Sequence, residues 1–301
     1  MTDALAFIDT MIAHHGPELT EYPDLYCAYA DIMGKVRANP NVAASLSVLY
    51  TRYQRIYANS RSLIGHVTLC PRGYHGDFEI IDKIYTRAIN ATKPYKKWDL
   101  FFQSLAATQA VRNRKQLFTD KMHEWYGGQT KPLRILYLNS GPARDVAEFI
   151  AQSQLSGPVQ IQCVENDLRA IRYAHKTVGI QSETSSVEFR HELSLRFHPQ
   201  GTYDVIWVPG ISDYLSKRLI ATMLKRLIPA LAPHGHLYWG NFGHENPSRD
   251  VMEFSGWRVY QRGPNELREC ARNAGCGASK ITIETEETAI NHFLHIEEGL
   301  T

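Results

Sequence analysis

The chain has 301 residues, of which 44% are hydrophobic and 21% are charged. These values predict a globular protein with one large domain or two modest ones. The formal net charge is only +2, so no strongly basic surface points to a nucleic-acid partner. No apolar run approaches membrane-spanning length, and the N-terminus lacks the apolar segment of a signal peptide, so we expect a cytoplasmic protein.

Cysteine and histidine spacing bears on metal binding. The five cysteines are scattered without a CxxC pair, which predicts reduced thiols and argues against a zinc knuckle. The pair His234 and His236 and the pair His292 and His295 lack carboxylate or cysteine partners at ligand spacing. Positions three apart on a strand also point to opposite faces, so we predict no metal site.

Residues 1–128 are predicted to form a helical domain that covers the site and binds the substrate. Apolar positions recur with the helical period in 43–57, 78–88 and 98–125, and Gly127-Gly128 is a natural helix stop. The aromatic side chains of the last range are expected to form core. A large helical domain with exposed aromatics is also compatible with a homodimer.

Two polar segments stand out in this helical part. Pro71 to Asp77 is a turn with two glycines and a proline, in which Asp77 can cap the helix beginning at Phe78 and also contact a ligand. Val111 to Lys115 contains Arg112 and Arg114, either as a solvated helix face or as ligand-binding cations.

From residue 132 onward, strands alternate with helices. The pattern predicts strands at 133–138, 159–164, 186–190, 204–208, 235–241, 279–284 and 291–297, with helices near 143–154, 167–178, 214–231 and 264–274. Such alternation is typical of a mainly parallel sheet covered on both faces. Residues 285–290 are too few for a crossover helix, so the last strand should be antiparallel. A second domain, residues 129–301, follows.

The stretch from Leu133 to Asp167 is predicted to bind the cofactor. It consists of strand, small-residue loop, helix and strand, and it ends on Glu165-Asn166-Asp167. The loop has a single glycine, Gly141, followed by Pro142, so it offers few free N–H groups to a pyrophosphate. A ligand with adenosine but no phosphate fits better, and S-adenosylmethionine (SAM) is the common one. A plain βαβ crossover with a glycine turn is the alternative.

This strand order resembles that of the class I SAM-dependent methyltransferases, whose seven-stranded Rossmann-like sheet ends in an antiparallel strand. The resemblance rests on Asn-Ser-Gly-Pro-Ala-Arg-Asp at 139–145, Glu165 after the second strand, the fourth-strand segment 203–208, and the turn at 231–237. It covers residues 132–298.

A narrower resemblance covers most of the chain. Five ordered motifs, at 71–77, 110–114, 141–145, 210–215 and 240–257, are similar to those of a bacterial subgroup associated with 3-hydroxy fatty acid (3-hydroxypalmitate) methyl ester synthases. The implied reaction is SAM-dependent methyl transfer to a small-molecule acceptor, a carboxylate or another oxygen or nitrogen nucleophile, with S-adenosylhomocysteine (SAH) as product. Transfer of the aminocarboxypropyl group of SAM, or a non-catalytic binding role, are the alternatives.

The resemblance also implies cofactor contacts at the carboxyl ends of the strands. Glu165 would bind the ribose hydroxyls, whereas Asp167 is expected to cap the next helix. The implied cofactor residues are Asn139, Gly141, Arg144, Glu165, Asn166, Leu193, Pro209 and Gly210.

The acceptor decides which catalytic groups are needed. A carboxylate needs an orienting cation, for which Arg72, Arg112 and Arg114 are candidates, while an amine or hydroxyl needs a base. The catalytic candidates are Asp213, Tyr214 and Tyr74, with His75 as a further base, and Asp77, Asn241 and Trp257 complete the substrate-binding set. Ser212 or Asp213 could instead cap a helix starting at Tyr214.

Overall fold

The computed structural model describes residues 2–39, 48–49, 51–152, 157–179, 185–277 and 280–298. The chain divides into two compact units, one of residues 1–109 and 246–258, the other of residues 110–245 and 259–301. The predicted domain boundary at residue 128 lies two residues after a helix that ends at Tyr126. The two compact units instead divide within that helix, after residue 109. Residues after 109 belong with the sheet because their apolar side chains pack on it, as Phe118 and Met122 do.

Eleven α-helices lie in the described residues. They are α1 (Thr2–Ala13), α2 (Tyr22–Ala38), α3 (Leu63–Leu69), α4 (Phe78–Tyr85), α5 (Tyr95–Ser104), α6 (Ala106–Tyr126), α7 (Arg144–Gln152), α8 (Leu168–Val178), α9 (Lys217–Leu227), α10 (Arg249–Phe254) and α11 (Pro264–Asn273). None of them combines the length and the apolarity that a membrane-spanning helix needs. The helix predicted over residues 43–57 lies partly outside the described residues.

The first unit is built around aromatic side chains. Trp98 and Phe101 of α5 are fully buried, and Phe254 of α10 packs edge-on against Tyr29 of α2 and against Tyr57, with ring centroids 5.0 Å and 5.2 Å apart. Such edge-to-face pairs are favourable beyond the area they bury. The prediction that these aromatics form core is confirmed for Trp98 and Phe101.

The helical region predicted as one run over 98–125 is in fact two helices. Leu105 adopts an extended conformation, with φ −56° and ψ 137°, between α5 and α6. The Thr108 hydroxyl lies 3.0 Å from the Gln103 carbonyl and can donate to it, which satisfies a backbone acceptor next to the break. The apolar spacing continues through residue 105, so periodicity alone did not reveal the break.

The second unit contains a seven-stranded sheet. Its strands are β1 (Leu133–Leu138), β2 (Val159–Glu165), β3 (Ser185–His191), β4 (Tyr203–Val208), β5 (Leu231–Phe242), β6 (Ile281–Thr285) and β7 (Asn291–Glu297), in the order β3-β2-β1-β4-β5-β7-β6. Strand β7 lies between β5 and β6 and is antiparallel to both, while the other neighbouring pairs are parallel. The predicted sheet and its antiparallel last strand are confirmed.

Side-chain caps fix two helix starts in this unit. The Asp167 carboxylate accepts from the Arg169 N–H at 2.8 Å at the start of α8, as predicted. Helix α9 begins at Lys217 and is capped by Ser216. The start predicted at Tyr214, and the cap by Ser212 or Asp213, are therefore wrong, because residues 211–214 form a separate 3-10 turn.

Apolar cores lie on both faces of the central strands of the sheet. On one face, Phe118 of α6 packs against Tyr137, Phe149 and Trp207, with ring centroids 5.5, 5.4 and 5.2 Å away. On the other face, Leu136 and Ile206 share a core with Leu224 of α9 and Leu267 of α11. Because successive side chains of a strand point to opposite faces, the strands contribute apolar side chains to both cores.

We expect Phe118→Ala to lower the free energy of unfolding by about 3–5 kcal/mol, because it leaves a cavity among three aromatic rings. Urea unfolding followed by tryptophan fluorescence measures this change. Asp120→Ala, on the exposed side of the same helix, is the matched control and should change stability by about 0.5 kcal/mol or less. Equal stability of the two variants would contradict the packing described for α6.

Candidate functional site

The loop after β1 has an unusual backbone. Asn139, Gly141 and Ala143 all lie in the left-handed region, with φ of +56°, +52° and +50°. Glycine adopts this region without penalty, while a residue with a Cβ pays for it. The Asn139 N–H donates to the Val164 carbonyl at 2.8 Å, which ties the loop to the end of β2. The sequence therefore folds here into a tight turn that exposes backbone at the carboxyl edge of the sheet.

Glu165, at the end of β2, holds this loop. Its Oε2 accepts from the Gly141 N–H at 3.0 Å, and its Oε1 accepts from the N–H groups of Asn166 and Asp167 at 2.8 and 2.9 Å. Burial raises the pKa of the Glu165 carboxyl, and the three backbone hydrogen bonds oppose that rise. Three of about four acceptor positions of the carboxylate are thus occupied, and one on Oε2 remains.

Most of the other predicted cofactor residues lie along the same edge. Arg144 is the first residue of α7, Asn166 is exposed, and Pro209 and Gly210 follow β4. Leu193 is 39% exposed just beyond β3. The Asn139 Oδ1 is buried and has no hydrogen-bond partner among the described residues. An unpaired buried acceptor is costly, and a ligand with an N–H or ammonium group would satisfy it.

A buried carboxylate supports the loop from below. The Tyr137 hydroxyl, on β1, donates to Asp145 in α7, and the Asp145 Oδ1 accepts from the Val146 N–H at 3.0 Å. Burial raises the pKa of the Asp145 carboxyl, while these hydrogen bonds and the charge of Arg114 oppose the rise. Sequence reasoning did not single out this pair, because a strand tyrosine eight residues before a helical aspartate has no recognisable spacing.

Arg114 is buried rather than solvated. Only 7% of it is exposed, and its Nη1 donates to the Pro209 carbonyl at 3.0 Å, at the end of β4. Arg112, on the same helix, is 9% exposed. The interpretation of residues 111–115 as a solvated helix face is therefore wrong for both arginines. Acceptor binding by either remains a prediction, and Arg114 has a structural role in any case.

Asp213 occupies the rim after β4. It is 3% exposed, and its Oδ1 accepts from the Phe242 N–H at 2.8 Å. Burial raises the pKa of the Asp213 carboxyl to about 7, and the Phe242 hydrogen bond and the charges of Arg114 and Arg262 only partly offset it. A carboxyl that titrates near neutral pH can serve as a general base. Tyr214, its neighbour, is 41% exposed.

Arg262 connects the loops that surround Asp213. Its Nη1 donates to the Ser212 carbonyl at 2.9 Å and to the Asn241 Oδ1 at 2.7 Å, and its Nη2 donates to the Leu215 carbonyl. The Asn241 Nδ2 donates to the Tyr260 carbonyl at 2.8 Å. Asn241 was predicted to lie at this rim, and Arg262 was predicted from its place after the fifth strand to help form the far wall of the acceptor pocket. The hydrogen bonds by which Arg262 joins these loops depend on contacts between distant segments.

The remaining predicted site residues belong to the other unit. The Asp77 carboxylate caps α4, accepting from Glu79 and Ile80 N–H groups at 2.9 and 3.1 Å, and it pairs with the buried His66 at 2.8 Å. The capping role is confirmed.

Arg72 also has a partner within the first unit, since its Nη2 donates to the Glu79 carboxylate at 2.8 Å. Tyr74 is 36% exposed, His75 is partly buried, and Trp257 is 5% exposed. Roles of Arg72, Tyr74, Asp77 and Trp257 in binding or catalysis remain predictions.

Comparison with known proteins identifies the fold. No protein-family model and no curated protein matches the sequence. Among solved structures, a possible exported protein from Bordetella parapertussis is 14% identical, covers 74% of this chain and 80% of its own, and has a TM-score of 0.60.

Two structures described as methyltransferases are also similar. Magnesium protoporphyrin IX methyltransferase from Synechocystis PCC 6803, crystallised with SAH, is 12% identical over 64% of this chain and 87% of its own, with a TM-score of 0.50. The SAM-dependent methyltransferase SibL, in its apo form, is 13% identical over 83% of this chain and 72% of its own, also with a TM-score of 0.50. The chain therefore has the Rossmann-like fold of the class I SAM-dependent methyltransferases.

We expect Gly240→Ala to destabilise the protein by about 2 kcal/mol. A Cβ at Gly240 would lie 2.5 Å from the Pro209 carbonyl oxygen, which accepts from Arg114, so the end of β4 must shift. Gly128→Ala meets no atom within 4 Å and is the control. Chemical denaturation compares the variants, and a Gly240→Ala protein as stable as Gly128→Ala would contradict this close approach.

The raised pKa of Asp213 predicts a measurable pH dependence. Because the folded pKa is about 7 and the unfolded one is 3.8, the stability linked to this group is present below pH 3.8 and is lost as pH rises through 7. The unfolding free energy of the wild type minus that of Asp213→Asn should therefore fall between pH 4 and 7.5. A constant difference across this range would show that Asp213 is ionised throughout.

Proposed function

We propose that this protein transfers a methyl group from SAM to a small-molecule acceptor and releases SAH. The observation that carries the proposal is the left-handed loop at Asn139–Ala143 packed on the Glu165 carboxylate, at the carboxyl edge of a sheet with the methyltransferase strand order. Open α/β sheets bind ligands at this edge. The methyltransferases with a similar fold support this assignment.

The cofactor would interact with residues on three strand ends. We assign a ribose hydroxyl to the open acceptor position on Glu165 Oε2, where a charge-assisted hydrogen bond would form. The buried Asn139 Oδ1 would accept from the ammonium group of the methionine part. Asn166 and Leu193, both exposed beyond their strands, would flank the adenine.

The transfer itself needs little covalent help from the protein. The acceptor atom attacks the methyl carbon in line with the carbon–sulfur bond, whose electrons pass to the sulfonium, so SAH leaves as a neutral thioether. The protein contributes by orienting the acceptor and excluding water. We place the acceptor beside Gly210 and Asp213, because this rim follows β4 at the carboxyl edge of the sheet, where open α/β sheets bind ligands.

The acceptor class follows from the state of Asp213. An acceptor hydroxyl or amine must lose a proton, and a carboxyl with a pKa of about 7 accepts it near neutral pH. A fatty acid carboxylate, which the subgroup resemblance implies, needs no base. A methyl-transfer rate that rises through pH 7 and is lost in Asp213→Asn supports a hydroxyl or amine acceptor. A rate that depends on neither pH nor this substitution supports a carboxylate acceptor.

Calorimetry with purified protein, stripped of cofactor, tests the cofactor assignment. SAM and SAH should bind, and Glu165→Gln should weaken both by roughly 10- to 100-fold, because one charged hydrogen bond is lost. Asp167→Asn keeps a capping side chain and is the matched control, with affinity close to that of the wild type. Circular dichroism verifies that each variant is folded.

Failure of the wild type to bind either ligand would refute the proposed function. If folded Glu165→Gln binds SAM and SAH as strongly as the wild type, the proposed function stands, but the ribose contact belongs to another residue.

A further inference from the structure

One face of the sheet is covered by helices only over its central strands. Residues 192–202, which the structure describes throughout, join β3 to β4 without a helix, whereas the connections β1–β2, β2–β3 and β4–β5 each contain one. A right-handed crossover from β3 to β4 passes over the face opposite α7 and α8. On that face α9 and α11 pack on the central strands, and a cavity of about 300 Å³ lies over the first residues of β1, β2 and β3.

Strand pairing brings polar side chains together in this cavity. Arg134 is paired with Gln160, and Gln162 is paired with Glu188, in the parallel registers of β1 with β2 and of β2 with β3. Paired residues of neighbouring strands point to the same face, and so do positions two apart on one strand. Ile135, one position further along β1, points to the opposite face and is fully buried. The four polar side chains therefore line one cavity.

Part of the lining is already fixed by hydrogen bonds. The Tyr203 hydroxyl donates to the Gln162 Oε1 at 2.8 Å, and the Gln162 Nε2 donates to the Glu188 Oε2 at 3.1 Å. The Glu188 Oε1 pairs with the Arg190 Nε at 2.7 Å. These side chains form a continuous chain across three strands, in which the charge of Glu188 is offset by that of Arg190.

Arg134 is the cation of the cavity without a counter-charge. Its guanidinium lies over the Tyr203 ring, 5.3 Å from the centroid, and packs against Gly201, where an added Cβ would be 3.5 Å from its Nη1. Within the described part of the chain, no carboxylate forms an ion pair with this guanidinium. The Asp204 carboxylate accepts from the Arg134 backbone N–H instead, at 2.7 Å. The side chain is thus held in place while its donors remain available.

The cavity as a whole carries a positive charge. Its lining contains the guanidinium groups of Arg134 and Arg190 but only one carboxylate, that of Glu188. Burial raises the pKa of the Tyr203 hydroxyl, and the charges of both arginines oppose that rise. Both cations therefore act at the same part of the cavity, which favours an anionic ligand.

We propose that this cavity binds a small polar molecule through a carboxylate or phosphate group, which pairs with the Arg134 guanidinium. Two oxygens of either group match the parallel N–H donors of a guanidinium. Gln160 and Ser186, which also line the cavity, would hydrogen-bond the rest of the molecule. The volume lies at the lower end of that found for small-molecule sites.

The cavity is separate from the candidate cofactor site. Arg134 precedes Asn139 by five residues, which corresponds to about 16 Å along an extended strand. The cavity lies at the start of β1, and the candidate cofactor loop follows its end. The inference is therefore independent of the proposed methyl transfer.

Nitrogen-15 NMR of the arginine Nε–H groups in the full-length protein tests the site. Sodium citrate supplies carboxylates and inorganic phosphate supplies the phosphate group, each titrated at an ionic strength held constant with sodium chloride. The Arg134 signal should shift and saturate with one or both probes, with a dissociation constant of about 1 mM or below. The signal of Arg272, exposed on α11, should not. The tighter probe identifies the anionic group.

Substitutions of Arg134 test its part in binding. Arg134→Gln keeps an amide but removes the charge, and it should weaken binding of the tighter probe at least about tenfold. Arg134→Lys keeps the charge without the planar fork, so its affinity should lie between those of the wild type and Arg134→Gln. Arg272→Gln is the matched control and should bind like the wild type.

An Arg134 signal that fails to saturate up to about 10 mM of either probe would overturn the proposal and leave this surface as a solvated sheet face. A folded Arg134→Gln protein with wild-type affinity would overturn it as well. If Arg134→Gln does not fold, the wild-type titration and Arg134→Lys decide the question.

Discussion

A buried arginine, Arg114, attaches helix α6 to the carboxyl edge of the sheet in the second unit. Arg114 points from α6 to the end of β4, where its guanidinium donates to the Pro209 carbonyl. A buried charge must be compensated, and the charge of Arg114 opposes the burial-driven rise in the pKa of both Asp145 and Asp213. Helix α6 is thus tied to the sheet by a polar contact at this edge and by Phe118 along its length.

The same edge combines rigidity with an accessible backbone. The left-handed residues of the loop after β1 are held by Glu165, and the rim after β4 is held by Arg262, so neither loop depends on its own sequence alone. Preorganised groups of this kind lower the cost of binding, because their order is established before the ligand arrives. The proposed cofactor site therefore draws its precision from contacts among β2, β4, β5 and the segment before α11.

The two ends of α6 are fastened by different chemistry. Near Arg114 the contact is a charged donor on a backbone carbonyl, which does not titrate near neutral pH. Near Trp125 the contact is the stacked imidazole ring of His236, which is hydrogen-bonded through His295 to the Glu284 carboxylate. A single helix is thus attached to the sheet by a charged hydrogen bond at Arg114 and by ring stacking at Trp125.

The sequence by itself determined the strands, most helix ranges of the second unit, the antiparallel β7 and the Asp77 and Asp167 caps, because these depend on local periodicity and short-range hydrogen bonds. Only the tertiary structure decided the break at Leu105, the start of α9, the buried state of Arg114 and the meeting of His236 with His295. Those features depend on which distant side chains become neighbours, and that depends on strand order and register, which spacing along the chain does not encode.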